Sequence, residues 1–194
     1  MKVLVLFGSP RKEGNTASLL KPVIDELKTE NADISYFDAY DMNVKGCNAC
    51  LKCQKDIENI CCTIDDDMKK IFREIVDSNV ILIASPIYAW SIPAPLKAII
   101  DRLVYSSCKY YDGNPNGPAL LGGKKLYLLL TCGYPIEKGT DLLEEAMKRY
   151  AKHLKLTYSG MLAFRQRNLN EPFMDSEKEK CAREFAHRIM DYPL

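Results

Sequence analysis

The sequence predicts an α/β fold of three layers, with a five-stranded parallel sheet of order 2-1-3-4-5 sandwiched between helices. Two observations carry the prediction. Short apolar runs alternate with longer amphipathic stretches along the chain, the pattern of strands joined by crossover helices. Three of the apolar runs end in loops, at 8–16, 85–92 and 131–136. Parallel sheets bind ligands beyond the carboxyl ends of their strands, where the strand order reverses. The 194 residues suffice for one large domain with a substantial core. No repeat, low-complexity tract or linker divides them, so 1–194 reads as a single domain with a cysteine-rich insertion at about 39–65.

Each element has its own signal. Residues 2–7 are an apolar strand, and 16–29 a helix with Leu19, Leu20, Val23, Ile24 and Leu27 at helical spacing. Pro22 removes one backbone donor from the middle of that helix. Residues 33–38 form a second, more polar strand. After the insertion, Asp65-Asp66-Asp67 supplies negative charge to cap a helix near 66–76. Residues 79–84 are a buried strand, stopped by Ser85-Pro86. A helix near 93–106 carries Leu96, Ile99, Ile100 and Leu103, and a Gly/Asn/Pro-rich loop spans 110–123. A fourth strand at 124–131, a helix near 140–153, a strand near 156–163 and a charged helix near 176–190 complete the chain.

Charge and composition exclude some functions. Lys and Arg number 27 against 26 Asp and Glu, a net charge of +1, so there is no basic field to hold nucleic acid. No apolar segment reaches membrane-spanning length and no signal peptide opens the chain, which predicts a cytoplasmic protein.

The loop after the first strand, Gly8-Ser9-Pro10-Arg11-Lys12-Glu13-Gly14-Asn15-Thr16, has the makings of an anion site. A helix start offers unpaired N–H groups and the positive end of its dipole. Gly8 and Gly14 allow close turns. Ser9, Asn15 and Thr16 add donors, and Arg11 adds a fork that matches phosphate oxygens. Asn15 follows Gly14 where a triphosphate loop needs Lys, and the dinucleotide pattern G-x-G-x-x-G is absent. A single terminal phosphate remains; a turn followed by a capped helix is the plainer alternative. The second loop, Pro86-Ile87-Tyr88-Ala89-Trp90-Ser91, offers surface for a flat ring system, or simply packing aromatics. The third offers backbone donors around Gly133.

Five of the eight cysteines lie between 47 and 62. In a reducing cytosol such clustering points to metal or redox work more than to structural disulfides. Cys47, Cys50 and Cys53 follow C-x2-C-x2-C, and Cys61 or Cys62 could close the set. Four thiolates suit a 4Fe–4S cluster, and zinc would accept the same number. A reversible dithiol pair and plain buried thiols are the alternatives. Cys108, Cys132 and Cys181 stand alone and read as small core residues.

With Gly-Ser-Pro-Arg and Gly-Asn-Thr at 8–16, Gly46-Cys47, Asp66-Asp67-Met68, Ser85-Pro86-Ile87-Tyr88, Pro95-Leu96-Lys97-Ala98 and Asp101-Arg102 in this order, the chain resembles the NAD(P)H-dependent FMN reductases of the flavodoxin-like superfamily. Within them it is most similar to the iron–sulfur flavoproteins. The resemblance runs through residues 1–133. It implies a flavodoxin-like fold and FMN held non-covalently, with Ser9, Arg11, Asn15 and Thr16 on its phosphate and Gly14 allowing close approach. Pro86, Ile87 and Tyr88 would border the isoalloxazine ring, and Thr131 and Gly133 its far side. Lys97, Asp101 and Arg102 would be an exposed ion-pairing face of their helix. Register against Asp66-Asp67-Met68 favours Cys62 over Cys61 as fourth ligand of a 4Fe–4S cluster with Cys47, Cys50 and Cys53. The final gap of this motif is longer here than in those relatives.

The implied activity is hydride transfer from NAD(P)H to flavin N5, with electrons passing to a quinone, a flavin or a redox protein, through the cluster where one is present. The cofactor carries such chemistry, so no triad or carboxylate pair is needed. His153 and His187 read as surface or packing residues. A homodimer or homotetramer is implied, with sites near subunit interfaces. A non-enzymatic electron carrier and a thiol-based redox sensor are the rival readings. Tyr110 and Tyr111 are candidates to cover the flavin or a partner subunit.

Overall fold

The structure is a computed structural model in which residues 1–111, 113, 115–167 and 171–191 are described. Five strands form one parallel sheet: β1 (Lys2–Phe7), β2 (Asp33–Asp38), β3 (Val80–Pro86), β4 (Lys125–Cys132) and β5 (Thr157–Arg165). Their order is β2-β1-β3-β4-β5, with Val5 level with both Tyr36 and Leu82. The sheet and its reversal between β1 and β3 are those the sequence predicts.

Helices cover both faces. Six are described: α1 (Asn15–Thr29), α2 (Met68–Asp77), α3 (Ala94–Ser107), α4 (Ile136–Gly139), α5 (Asp141–His153) and α6 (Ser176–Met190). Val3, Val5 and Phe7 of β1 face the core under α1 and α6, while Leu4 and Leu6 face the core under α2, α3 and α5. A strand covered on both sides cannot alternate with polar residues, so β1 and β3 are apolar runs. None of the described helices is long and apolar enough to cross a membrane. The β4–β5 pairing slips by one residue at Leu126/Tyr127, where Ser159 is passed over, and the next residue, Gly160, sits at φ 130°, a backbone that only glycine adopts readily.

Three expectations are corrected. First, Arg102 is not on an exposed face. Its side chain is 1% exposed and pairs at 2.5 Å with Asp66, whose side chain is fully buried. Only Lys97 and Asp101 form the surface pair expected of α3. Second, the acidic triplet does more than cap α2. Asp66 accepts from Met68 N at 3.2 Å but also from Lys45 N at 2.9 Å, and Asp67 accepts from Asn43 N at 2.9 Å. The triplet therefore fastens the start of the insertion to the start of α2.

Third, of the two places considered for Tyr110 and Tyr111, the flavin is the one that the fold denies them, since they lie away from the carboxyl edge of the sheet. Tyr110 donates to the His153 carbonyl at 2.6 Å, and the Tyr111 ring packs on Tyr105 with centroids 4.8 Å apart. They follow α3 and meet the last residue of α5, so they sit at the amino-terminal end of the sheet. Of the predicted loop 110–123, Asp112 and Asn114 lie outside the described residues. Pro22 sits buried within α1, which runs unbroken through it, and α4 had no distinct periodic signal in the sequence.

Candidate functional site

The loops after β1, β3, β4 and β5 meet at the carboxyl edge of the sheet and are laced together. Gly8 N–H donates to the Ala84 carbonyl at 2.9 Å, and Ile87 N–H to the Thr131 carbonyl at 2.8 Å. The hydroxyls of Thr16 and Thr131 lie 2.7 Å apart and are buried. Asn15 Nδ2 donates to Gln166 Oε1 at 3.1 Å. Ser9, Arg11, Gly14, Asn15, Thr16, Pro86, Ile87, Tyr88, Thr131 and Gly133 are therefore gathered on one edge. Gln166 joins them from beyond β5, a contact across 151 positions that no local pattern could reveal.

The first loop folds tightly over the start of α1. Ser9 Oγ accepts from Arg11 N and faces the Arg11 carbonyl, both at 3.2 Å, closing a tight turn. Gly14 stands at the N-cap of α1, and no side chain caps the helix. Its first N–H groups thus lack the usual side-chain oxygen. Gly14 is needed for space, not for an unusual dihedral: a Cβ there would lie 2.9 Å from Arg11 Cβ and 3.3 Å from Arg11 Nε. The Arg11 stem is thereby folded over the helix start. A Cβ on Gly8 would lie 2.5 Å from Leu96 Cδ2, so that glycine admits α3 rather than a guest. The neighbouring Lys12 is held by Asp38 and Asp41, whereas Arg11 has no ion-pair partner among the described residues.

The second loop is a hairpin. Tyr88 and Ser91 exchange backbone hydrogen bonds at 2.9 and 3.0 Å around Ala89 and Trp90. Both central residues are left-handed, at φ 48° and 58°. Such turns favour Asn-Gly, and each non-glycine residue here costs about 1–3 kcal/mol. Trp90 is held in place by its Nε1–H, which donates to the Lys138 carbonyl at 2.9 Å, and by the Tyr134 ring at 5.4 Å. Tyr88 and Trp90 remain exposed. A cavity of about 130 Å³ lies between Ile87, Trp90, Cys132, Gly133 and Tyr134. Pro86 and Thr131 are buried beneath it. Burial pushes the Cys132 thiol up, as for an inert core cysteine. His153 and His187 lie away from this edge, as expected.

The cysteine insertion lies on α3. The Cys53 thiol donates to the Tyr105 carbonyl at 3.1 Å, and Gln54 donates to the carbonyls of Tyr105 and Cys108 at 2.6 and 3.0 Å. Cys47, Cys50, Cys53, Cys61 and Cys62 all line one cavity, together with Arg102. It measures about 20 Å³, room for one water. All eight cysteines are free thiols. Ala49 and Leu51 hold left-handed dihedrals at φ 50° and 56°, which turn the chain sharply between the first three cysteines. Among the described residues no three thiols approach within 4.8 Å of one another. A tetrahedral zinc site, with Zn–S near 2.3 Å, needs thiolates about 3.8 Å apart. The donor set is one of soft thiolates, beside a buried guanidinium whose Nε and Nη2 have no partner among the described residues. Backbone donation from Lys52 lowers the exposed Cys50 thiol, while burial raises Cys53 and Cys61.

Comparison with known proteins adds three findings. The family described as NADPH-dependent FMN reductase matches residues 1–180. An iron–sulfur flavoprotein of Methanosarcina thermophila is 32% identical over 127 residues, 64% of this chain and 65% of that one. Another, from Methanocaldococcus jannaschii, is 30% identical over 102 residues, 53% of this chain and 51% of that one. The chain thus spans about half the length of the latter relative. In fold, it is similar to the NAD(P)H:quinone oxidoreductase of Methanothermobacter marburgensis, with a TM-score of 0.78, 16% identity and coverage of 100% and 99% of the two chains.

Proposed function

The chain belongs to the NADPH-dependent FMN reductase family, and on that premise we propose that it is an FMN-dependent oxidoreductase that draws on NAD(P)H and reduces a quinone, a flavin or a redox partner. The observation that carries this reading is the uncapped start of α1 under the Arg11 stem, laced through Thr16 to Thr131 and through Asn15 to Gln166. Ser9, Arg11, Asn15 and Thr16 hold the FMN phosphate, and Gly14 keeps the cradle open. Ile87, Tyr88 and Gly133 border the flavin ring, with Pro86 and Thr131 supporting them from below. FMN, when bound, supplies acceptance of hydride from the nicotinamide. The protein's part is to bind, orient and exclude water. The exposed Tyr88–Trp90 hairpin leaves room for the nicotinamide.

The cysteine insertion is proposed to hold a 4Fe–4S cluster on Cys47, Cys50, Cys53 and Cys62, with Cys61 as the alternate fourth ligand. Such a cluster supplies one-electron transfer to an acceptor. The support is the five-thiol cavity and the Arg102 Nε and Nη2 groups that have no partner among the described residues. We further assign the chain to the cytoplasm and to a homodimer or homotetramer. Trp90, Tyr134 and Leu142 leave apolar surface beside the site.

The test is purification without oxygen, followed by an absorption spectrum, iron and sulfide analysis, and assay of NAD(P)H oxidation with a quinone and with free flavin. Arg11→Ala removes a charged phosphate contact worth about 1.5–3 kcal/mol and weakens FMN binding about 10–100-fold. Asn15→Ala weakens it in the same direction. A chain that takes up no FMN, or an Arg11→Ala variant that retains FMN through dialysis as the parent does, overturns the flavin assignment. Electron exchange with a redox protein but no NAD(P)H oxidation makes the chain a carrier instead.

A further inference from the structure

The cavity among the cysteines is lined by one charged side chain. Arg102 enters it from α3, and its Nη1 is spent on Asp66 at 2.5 Å and on the Lys45 carbonyl at 3.3 Å. Its Nε and Nη2 are buried without a partner among the described residues. Arginine carries five fixed donors, and burying them unmet is costly, so an orphaned pair on a residue that lines the thiol cavity calls for an acceptor.

Lys109 repeats the pattern. It is 2% exposed, and its ammonium donates to the Cys53 carbonyl at 2.8 Å with no carboxylate within ion-pair distance among the described residues. Of the acidic groups, Asp66 is tied to Arg102, and the partly exposed Asp56 acts on Lys109 only from further off. One buried cation therefore lines the five-thiol cavity and a second acts on two of its thiols, Cys53 and Cys61, while the buried Asp66 carboxylate is paired to Arg102. An apolar thiol cluster has no use for such a field, whereas anionic sulfur does.

We propose that the Nε–H and Nη2–H groups of Arg102 are donors to the anionic sulfur of an iron–sulfur group held by the cysteine loop, and that Lys109 supplies the second positive charge beside it. This rests on the cluster reading above and adds a residue to it that is not a ligand. Hydrogen bonds to sulfur and nearby positive charge favour the reduced, more negative form of such a group. Lysine cannot replace arginine here, because a point charge lacks the fork that serves Asp66 and the cavity together.

The experiment compares the wild type with Arg102→Lys, both purified anaerobically and checked for fold by circular dichroism and FMN content. Iron and sulfide per chain are measured, with iron retention against a chelator and the midpoint potential by EPR-monitored titration. The expected result is iron and sulfide in both. In Arg102→Lys, iron should be held about 10–100-fold more weakly. Its reduction equilibrium should shift about tenfold toward the oxidised form, about 59 mV for one electron. A folded variant with unchanged retention and potential overturns the role of Arg102 and leaves the cluster standing. A wild type that takes up no iron, even after reconstitution with ferrous iron and sulfide, overturns the cluster and this inference with it. Should Arg102→Lys fail to fold, wild type carrying ¹⁵N-labelled arginine decides. One Nε resonance shifts or broadens on iron loading, and an unchanged set of arginine signals refutes the contact.

Discussion

Removing the Asp66 carboxylate should be among the most damaging single changes available in this chain. That carboxylate accepts from Arg102 Nη1 at 2.5 Å, Lys45 N at 2.9 Å and Met68 N at 3.2 Å. Asp66→Ala deletes both acceptor oxygens and with them all three hydrogen bonds, and leaves a guanidinium that is 1% exposed with the Lys45 carbonyl alone. Breaking a buried pair from one side costs about 3–5 kcal/mol, because the remaining charge is stranded. For a chain of this size that corresponds to a fall in Tm of roughly 6–20 °C. The assay is urea unfolding at fixed FMN concentration, with Lys97→Ala as the comparison on the same helix. Its exposed partner is Asp101, and such surface pairs contribute about 0–1 kcal/mol.

The pH dependence follows in sign. Burial pushes the Asp66 carboxyl up, but Arg102 and the Lys45 and Met68 N–H groups outweigh it and hold it below the usual carboxylate range. A depressed folded value means that the stabilisation is complete above the unfolded value and is lost as pH falls through the folded one. The advantage of wild type over Asp66→Asn should be constant near neutrality and shrink in acid. A loss below about 1 kcal/mol for Asp66→Ala would refute the claim that this pair organises the insertion.

Three further outcomes are expected. Gly14→Ala drives a Cβ to 2.9 Å from Arg11 Cβ, so FMN affinity measured by fluorescence quenching should fall while the fold persists; unchanged affinity would separate Arg11 from the phosphate. Gly8→Ala meets Leu96 at 2.5 Å and should cost about 1–3 kcal/mol in denaturant titration, as overpacking does; a neutral result would mean that α3 yields freely. In iron-free protein, iodoacetamide at neutral pH should modify Cys50 first, with Cys53 and Cys61 following only as pH rises; mass spectrometry showing equal rates would remove the distinction.

Periodicity located the strands and most helices because β1 and β3 are buried on both faces and their apolar runs are uninterrupted. The edge loops were legible for the same reason: a parallel strand must end somewhere, and here its ends are marked by Gly8, Ser85 and Thr131. Arg102 was not legible. Its spacing on α3 fits an exposed face, and only a partner 36 positions away explains its burial. Gln166 escaped similarly, through a contact with Asn15 that has no local signature. Tyr110 and Tyr111 were misplaced because sequence shows that a loop exists but not which end of the sheet it leaves. The left-handed Ala89–Trp90 turn runs against local preference and is held by Lys138 and Tyr134.

The clamp between residues 43–45 and 66–67 has a consequence for how the insertion can vary. Asn43 and Asp67 exchange hydrogen bonds at 2.9 and 3.1 Å, and Lys45 reaches Asp66 at 2.9 Å. The cysteine segment is thus a loop whose two ends are pinned together. Closure entropy grows only logarithmically with contour length, about 0.6 kcal/mol for a doubling. The closure cost of adding or deleting a residue between Cys53 and Cys61 is therefore small. The long final gap of this motif needs no compensation elsewhere, and the spacing of the thiols is left to be disciplined by whatever they hold.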